Sequence, residues 1–196
     1  MKLGAQYGYW TNQPRQDIVA VAVEAERLGF DSLWTGESYS SDAFTPLCWV
    51  GAHTDKIKLA TGIAQLGART PATLAMHAMT LDALSEGRFC LGIGVSGPQV
   101  IEGWHGQPFG KPVQRTSETI KIIKKILARD EPVTASGPNL PLPYPKEAKN
   151  SWGLGKPLKL INTPLRPDIP IYLGAEGPKN IALAFKECQG WLPLYY

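Results

Sequence analysis

A regular alternation of strand-like and helical segments constrains this chain more than any other feature. Four short apolar segments begin near residues 3, 31, 57 and 88, and each is followed by apolar residues at helical spacing. The starts lie about 26–31 residues apart, close to the length of one strand and one helix joined by a right-handed crossover. Strands joined in this way run parallel, so the pattern predicts an α/β fold with a parallel sheet.

Two later segments extend the alternation to six strands. IPIYLG, from Ile169 to Gly174, is the fifth strand, and GWLPLYY at the end of the sequence is the sixth. An eightfold barrel needs two more strand–helix units to close. Residues 1–196 are therefore expected to form a single domain, either a truncated barrel or an open sheet. Helices are predicted after Pro14, around PLCWVGAHT, from Pro71 to Gly87 with Thr70 as cap, from Val113 to Arg129, and from Pro178 to Gln189.

Residues 131–168 interrupt the alternation. The segment is rich in Pro, Gly and Asn and has no helical period. Loops of this length inside a compact domain are usually functional. We therefore predict an insertion loop and expect it to cover the mouth of a site.

Composition and charge exclude several classes of protein. No apolar run approaches the roughly 20 residues of a membrane span, and the first ten residues lack the apolar stretch of a secretory signal. The net charge is only +3, and Lys121, Lys124 and Lys125 lie opposite an apolar helix face. We expect a cytoplasmic protein with neither a membrane nor a nucleic-acid partner.

The three cysteines indicate neither a disulfide framework nor a metal site. Cys48, Cys90 and Cys188 show no CxxC spacing and have no histidine at ligand spacing. Their apolar sequence surroundings predict that all three lie in the core.

A glycine pattern after the fourth strand has two interpretations. Gly92, Gly94 and Gly97 have the spacing of a dinucleotide-binding loop. Such a loop needs a helix that starts at the third glycine and an acidic residue about 20 positions later at a strand end. Here further glycines interrupt the helix, and Glu118 lies within a helix. The better interpretation is a barrel strand whose glycines let a flat ligand approach the backbone at its carboxyl end.

The segment LGAEGPKN repeats this arrangement after the fifth strand. Gly174 and Gly177 precede Pro178, which is predicted to be the first helical residue. Free amides of Ala175 to Gly177 would favour a phosphate by about 0.3–1 kcal/mol per contact. The backbone rather than the Glu176 carboxylate is assigned to this role, because that carboxylate would repel a phosphate. An ordinary turn is the alternative interpretation.

Together these segments resemble one known family. MKLGAQYGYW, GFDSLWTGES, LATGIAQLGARTPATLAMHAMTLDALSEGRFCLGIGVSGPQVIEGWHG and IPIYLGAEGPKN with GWLPLYY closely resemble the luciferase-like flavin and deazaflavin oxidoreductases, in particular the branch that depends on coenzyme F420. The resemblance covers essentially the whole chain. It implies a (β/α)8 TIM-type barrel, here truncated after about six strands, that holds F420 or, alternatively, FMN over the carboxyl ends of the strands.

The resemblance also implies a set of cofactor-binding residues. In such proteins the third strand carries a non-prolyl cis peptide behind the ring, and TGIAQ places it between Gly62 and Ile63. The end of the fourth strand lines the cofactor, and the loop after the fifth strand meets its phosphate. The implied residues are Gly62, Ile63, Gly94, Val95, Ser96, Gly97, Gly174, Ala175, Glu176 and Gly177.

The proton donor is left open by the resemblance. Related enzymes place an acidic residue or a histidine at the end of the second strand, where this chain has Glu37 and Ser38. Glu37 is the first candidate for a general acid or a substrate contact, a role that requires burial to raise its pKa. The alternative is a structural carboxylate that binds a neighbouring loop. His105 is a candidate for the border of the substrate pocket, and His77 is expected in the core or in an interface.

Two classes of function follow from the resemblance. The first is an enzyme that transfers hydride between F420, or FMN as the runner-up, and a small organic substrate. The second is a shortened, non-catalytic protein that binds flavin or dimerises, because the units that complete the cofactor pocket are missing from the six-strand pattern. The family is often dimeric, so a homodimer is expected.

Overall fold

The computed structural model describes residues 1–8 and 18–194, which form one sheet and the helices packed on it. The strands are β1 (Gly4–Gly8), β2 (Ser32–Thr35), β3 (Lys58–Thr61), β4 (Ala64–Gln65), β5 (Phe89–Gly94), β6 (Ile171–Gly174) and β7 (Gly190–Leu192). The helices are α1 (Ile18–Arg27), α2 (Phe44–Gly51), α3 (Pro71–Leu84), α4 (Pro98–Gly103), α5 (Pro112–Ala128) and α6 (Pro178–Glu187).

The sheet is parallel and forms a half-barrel. The strand order is β1-β2-β3-β5-β6-β7, and β4 pairs with β5 beyond the point where β3 stops. The predicted third strand is therefore divided into β3 and β4 by Gly62 and Ile63. With that division, the six predicted strands and the α/β barrel-type fold are confirmed.

The two faces of the sheet differ because successive side chains point to opposite sides. On the inner face, Trp34 of β2 and Tyr172 of β6 meet edge to face with ring centroids 5.3 Å apart. These strands are not neighbours, so the contact spans the concave side of the half-barrel. The outer face packs against the helices, and each of its large side chains contributes about 1.5–3 kcal/mol by burial. Fully buried residues of this face include Leu33, Leu59, Leu91, Ile93 and Leu173.

The best predicted helix is α3. It begins at Pro71, and the Thr70 hydroxyl oxygen accepts a hydrogen bond from the amide of Thr73 at 3.2 Å, as an N-cap does. The chain turns away at Gly87, which has a φ of +84°. A left-handed conformation of this kind favours glycine over other residues.

Residues 131–168 contain neither a helix nor a regular strand, and they do not lie where the sequence suggested. The Glu118 carboxylate on α5 accepts hydrogen bonds from the backbone and side-chain amides of Asn139. Further along, Arg166 pairs with Asp82 at 2.7 Å and donates to the first carbonyl of β5. These contacts hold the segment against α5 and the amino-terminal end of the sheet, so the expectation that it covers a site at the carboxyl ends is wrong. The segment connects α5 to β6, and a connection from a helix to the next parallel strand must reach the amino-terminal end of the sheet, where that strand begins.

The cysteines correct a second expectation. Cys90 is buried and Cys188 is half-buried, but Cys48 is exposed on α2, so its predicted place in the core is wrong. All three are free thiols. Within residues 1–8 and 18–194, no group of three or more His, Cys, Asp or Glu side chains could hold a metal ion, and no helix is long and apolar enough to cross a membrane.

Candidate functional site

The carboxyl ends of the strands surround a cis peptide bond. This bond joins Gly62 to Ile63 between β3 and β4, so the cis bond expected there is confirmed. The amide of Gly62 donates to the carbonyl of Thr35 at the end of β2, at 2.7 Å. The strand then resumes as β4 beside the end of β5. The cis bond therefore lies between the ends of β2 and β5, where active sites of parallel barrels are found.

The side chain of Ile63 lies across two glycines of adjacent strands. Gly94 and Gly174 are paired in register at the ends of β5 and β6. A Cβ atom on Gly94 would lie 3.0 Å from Ile63 Cγ1, and one on Gly174 would lie 2.9 Å from Ile63 Cγ2. Glycine at both positions therefore leaves room for Ile63. We call Gly62, Ile63, Gly94 and Gly174 the glycine floor.

The residues after Gly94 turn the chain out of the sheet. Ser96 has a left-handed backbone with a φ of 59°, and Gly97 is the N-cap of α4. Non-glycine residues adopt positive φ rarely, mostly in tight turns. Val95, Ser96 and Gly97 are all partly buried. These three residues directly follow Gly94 of the glycine floor. Their contact with a cofactor stays a prediction.

The geometry does not support a dinucleotide-binding loop at Gly92. Helix α4 ends after six residues, so it lacks the length of the helix that such a loop requires. Glu118 binds Asn139 instead of lying at a strand end. A Cβ atom on Gly92 would overlap the carbonyl oxygen of Thr61. The first glycine of the pattern is therefore required by packing within the sheet.

The loop from Gly174 to Gly177 leads into α6. The amide of Ala175 donates to the carbonyl of Leu192 at 3.3 Å, so this amide is already used within the sheet. Glu176 and Gly177 are exposed, and their amides make no hydrogen bond within the described part of the chain. The expectation of free amides therefore holds for Glu176 and Gly177 and is wrong for Ala175.

Glu37 is a buried and fully engaged carboxylate. Only 5 % of its side chain is exposed, and its Oε2 lies 2.6 Å from Arg69 Nη1. The amide of Gln65 donates to the same oxygen at 2.9 Å, and the amide of Ala43 lies 3.4 Å from the other oxygen. The Arg69 guanidinium also stacks 5.1 Å above the ring of Phe44. This arrangement binds a neighbouring loop, which is one of the two roles that the sequence left open.

Ser38 follows Glu37 in the turn after β2. It is partly exposed, and its hydroxyl makes no hydrogen bond with the residues that the structure describes. Ser38 can therefore meet a ligand above the strand ends more readily than Glu37 can. Whether it contacts a substrate stays a prediction.

Gln65 and His105 form a pair that the sequence motifs did not single out together. Gln65 is fully buried at the end of β4, and its Oε1 lies 3.2 Å from His105 Nε2. The side-chain nitrogen of Gln65 has no partner within the described residues. Buried donors without a partner are rare in folded proteins and often mark a ligand or a water site. His105 does border the strand ends, as its position in EGWHG suggested.

Arg69 is the charged residue that the site analysis of the sequence missed. It lies directly before Thr70, the cap of α3, and nothing in the surrounding sequence indicates a partner 32 residues away. His77 packs on Phe44 with ring centroids 4.6 Å apart. Burial lowers the pKa of His77, and the positive charge of Arg69 lowers it further. His77 is thus a partly buried packing residue, in agreement with its expected place in the core or in an interface.

These features fit a flat ring that carries a phosphate. The glycine floor offers backbone and one aliphatic side chain to a ring face. The side-chain nitrogen of Gln65, which has no partner within the described residues, is available to donate a hydrogen bond. The free amides of Glu176 and Gly177 lie at the start of α6, where the helix dipole favours an anion.

The chain is similar in sequence to two curated proteins. A protein of Mycobacterium tuberculosis with the provisional name of coenzyme F420-dependent oxidoreductase is 55% identical over 196 residues, 100% of this chain and 56% of that protein. The 5,10-methylenetetrahydromethanopterin reductase of Methanolobus tindarius is 32% identical over 92% of this chain and 51% of its own length. The chain thus spans about half the length of these curated relatives.

Solved structures show the same fold at lower identity. The coenzyme F420-dependent tetrahydromethanopterin reductase of Methanopyrus kandleri matches 98% of this chain and 55% of its own, with a TM-score of 0.79 and 24% identity. An F420-dependent secondary alcohol dehydrogenase in complex with an F420-acetone adduct matches 98% of this chain and 57% of its own, with a TM-score of 0.80 and 22% identity. The oxygenating constituent of 3,6-diketocamphane monooxygenase from Pseudomonas putida, in complex with FMN, matches 89% of this chain and 51% of its own, with a TM-score of 0.65 and 24% identity.

A match that covers nearly the whole chain identifies the family. The profile of the luciferase-like monooxygenases matches residues 2–196. This chain therefore belongs to the luciferase-like monooxygenase family.

Proposed function

We propose that this chain forms the cofactor-binding part of an F420-dependent oxidoreductase that acts on a small organic substrate. The observation that carries the proposal is the glycine floor, in which the cis bond at Gly62 and the glycines of β5 and β6 let the Ile63 side chain lie across the strand ends. The names of the two curated relatives support an F420-dependent or a reductase reaction, and the structural similarity to an F420-dependent secondary alcohol dehydrogenase supports the same class. FMN remains the alternative cofactor, and no contact in the site favours it.

When bound, the deazaflavin supplies a ring carbon that accepts or releases a hydride. The chain's own residues position the reactants and exclude water. The glycine floor would support one face of the ring, and Gln65 would donate a hydrogen bond to an oxygen of the ring or the substrate. The amides of Glu176 and Gly177 would hold the phosphate, with about 0.3–1 kcal/mol from each charge–dipole contact.

We assign Glu37 a positioning role in this reaction. Its carboxylate holds Arg69 and the backbone of Gln65, and so fixes the end of β4 near the cis bond. Ser38 and His105 are then the polar side chains best placed to meet the substrate. The proton donor is drawn from these two residues or from water.

Titration of the purified chain with F420 and with FMN tests the proposal. Quenching of cofactor fluorescence should give a micromolar Kd for F420 and weaker binding of FMN. Gly94→Ala should weaken F420 binding about tenfold, or 1.4 kcal/mol, because the new methyl group displaces Ile63 from the floor. Gly103→Ala is the matched control, since a Cβ atom there meets nothing within 4 Å.

The same titration separates the proposal from its rivals. Tighter binding of FMN would replace F420 as the cofactor. A folded chain that binds neither compound at micromolar concentration would favour the non-catalytic alternative for these 196 residues. Gel filtration of the same sample tests the expected homodimer.

A further inference from the structure

The side chain of Gln65 has one end bound to the protein and one end free. Gln65 is fully buried, and its Oε1 lies 3.2 Å from His105 Nε2. Its side-chain nitrogen makes no hydrogen bond with the described residues. A carbonyl oxygen only accepts hydrogen bonds, so the contact requires a proton on His105 Nε2. A neutral imidazole carries one proton, which leaves the free lone pair on Nδ1.

The backbone around Gln65 is held from two sides. Its amide donates to Glu37 Oε2 at 2.9 Å. On the other side Gln65 is paired in register with Gly94 of β5, whose carbonyl accepts from the amide of Leu66 at 3.0 Å. A side chain on so constrained a segment has little freedom to move with its partner. Gln65 is therefore suited to hold the imidazole of His105 in one orientation.

His105 borders the candidate site and has one open nitrogen. It is partly exposed, and its Nδ1 makes no hydrogen bond with the residues that the structure describes. This nitrogen is also not one of the buried, unpartnered polar atoms in that part of the chain, so solvent reaches it. The preceding residue, Trp104, meets Tyr39 with ring centroids 6.4 Å apart. This contact joins the segment that carries His105 to the turn after β2, which carries Ser38.

The two other histidines of the chain lack this arrangement. His53 Nδ1 lies 2.8 Å from the carbonyl of Trp49, so His53 carries its proton on Nδ1 and is the opposite tautomer. His77 packs on Phe44, and its Nδ1 is buried without a partner among the described residues. His105 alone of the three combines a fixed proton with an open lone pair near the strand ends.

We propose that Gln65 is a positioning residue that fixes the proton of His105 on Nε2, so that Nδ1 of His105 exchanges a proton with the substrate. This inference rests on the proposed oxidoreductase function, to which it adds the residue that moves the proton. A base whose second nitrogen is held by a neighbouring group is a recurring arrangement in acid–base catalysis. Positioned proton transfer of this kind contributes about 10²–10⁴-fold to a rate.

The step balances for a substrate with an O–H or N–H group on the reacting carbon. The proton of that group passes to the lone pair of His105 Nδ1. The hydride on the carbon passes to the deazaflavin as the double bond from carbon to oxygen or nitrogen forms. In the opposite direction the Nδ1 proton returns to the oxygen or nitrogen. Nε2 keeps its proton throughout, so its hydrogen bond to Gln65 persists in both directions.

Diethyl pyrocarbonate tests the tautomer in the purified chain without cofactor. This reagent acylates an unprotonated histidine nitrogen, and an unrestrained imidazole reacts mainly at Nε2, the less hindered one. We expect acylation of His105 at Nδ1, because Nε2 carries the proton and is covered by Gln65. His53 is the internal control and should react at Nε2. NMR of the chain with nitrogen-15 histidine identifies the acylated nitrogen of each ring.

Two variants separate the roles of Gln65 and His105. Gln65→Leu removes the acceptor, so acylation of His105 should move to Nε2, whereas Gln99→Leu, the same change at an exposed residue of α4, should leave it at Nδ1. His105→Gln keeps a donor for Gln65 but removes the base. With 2-propanol as the probe, it should lower the rate of F420 reduction about 10²–10⁴-fold and leave the Kd of F420 unchanged.

Three results would overturn the inference. They are acylation of His105 at Nε2 in the parent, no acylation of His105 at all, and a His105→Gln variant that reduces F420 as fast as the parent. The first two need no variant, so they hold even if Gln65→Leu fails to fold. A chain that does not bind F420 but is acylated at Nδ1 would contradict the proposed function and leave the positioning by Gln65 intact.

Discussion

Replacing Glu37 with Gln distinguishes a structural carboxylate from a general acid. The carboxylate accepts strong hydrogen bonds from Arg69 and from the amide of Gln65 on one oxygen, and it faces a third donor on the other. A glutamine has one acceptor oxygen and a donor group, so it leaves at least one of these donors facing another donor. Arg69, with only 14% of its side chain exposed, would also lose its counter-ion.

The expected cost is large because the pair is buried. Removing one partner of a buried ion pair costs about 3–5 kcal/mol. For a chain of this size, a loss of that order lowers the Tm by about 6–20 °C. Urea unfolding at neutral pH, followed by circular dichroism, measures the loss of free energy. The double variant Glu37→Gln with Arg69→Met should lose less than the sum of the two single variants, because both single changes break the same interaction.

The control makes the same chemical change at an exposed pair. Glu24 and Arg27 lie one turn apart on α1 with side chains 53% and 67% exposed, so Glu24→Gln should leave the urea midpoint nearly unchanged. The reasoning about Glu37 would be refuted if Glu37→Gln unfolded at the urea concentration of the parent. If the variant also lost one limb of the pH–rate profile, Glu37 would be the proton donor.

Three further changes test the sheet, a helix start and the insertion loop. Thr61→Val removes the hydroxyl that both accepts from and donates to the backbone of Gly92, so it should cost about 2–5 kcal/mol in urea unfolding, and Thr61→Ser should recover most of this. Asp42→Ala removes the carboxylate that accepts two amides at the start of α2 and should cost about 0.5–2 kcal/mol. Burial raises the pKa of Asp42, but the hydrogen bonds it accepts outweigh burial and lower the pKa. Its stabilisation is therefore full above the unfolded pKa and is lost as the pH falls through the folded pKa, so the difference between parent and Asp42→Ala should vanish in acid. Asp82→Asn breaks the pair with Arg166 and should speed hydrogen exchange in residues 131–168 by about tenfold or more.

Every described helix except α4, and the number of strands, could be predicted because their signals are local. The cap and proline at Thr70 and Pro71 and the turn at Gly87 lie within the segment whose structure they determine. The division of the third strand into β3 and β4 has no periodic signal, since KIKLATGIAQL reads as one apolar run. Hydrophobic periodicity gives no sign of this division. The family resemblance, which implied a cis bond between Gly62 and Ile63, indicated its position.

The roles of the charged and polar site residues could not be predicted from local sequence. Glu37 meets Arg69 across 32 residues, and His105 meets Gln65 across 40. Burial and pairing decide whether a carboxylate is an acid or an anchor, and both are properties of the folded chain. The exposed position of Cys48 has the same origin, because an apolar sequence neighbourhood does not specify which side of a helix faces the core.

The placement of the insertion loop follows from topology instead of composition. In a parallel sheet every helix starts near the carboxyl ends of the strands and returns the chain to the amino ends. A long segment between α5 and β6 is therefore inserted at the end opposite the site. Segments that cover such a site must follow a strand, as the turn at Ser38 and the stretch around His105 do.

The glycine spacing after the fourth strand arises from the geometry of a barrel strand. Gly92 and Gly94 are two residues apart, so both lie on the inner face of β5. Gly92 is required because the carbonyl of Thr61 approaches it, and Gly94 because Ile63 lies over it. Thr61 lies before the cis bond and Ile63 directly after its first residue, at the point where β3 stops pairing with β5 and β4 begins to pair with it. The interruption in one strand thus creates the need for two glycines in the next, and the resemblance to a dinucleotide-binding loop is a coincidence of spacing.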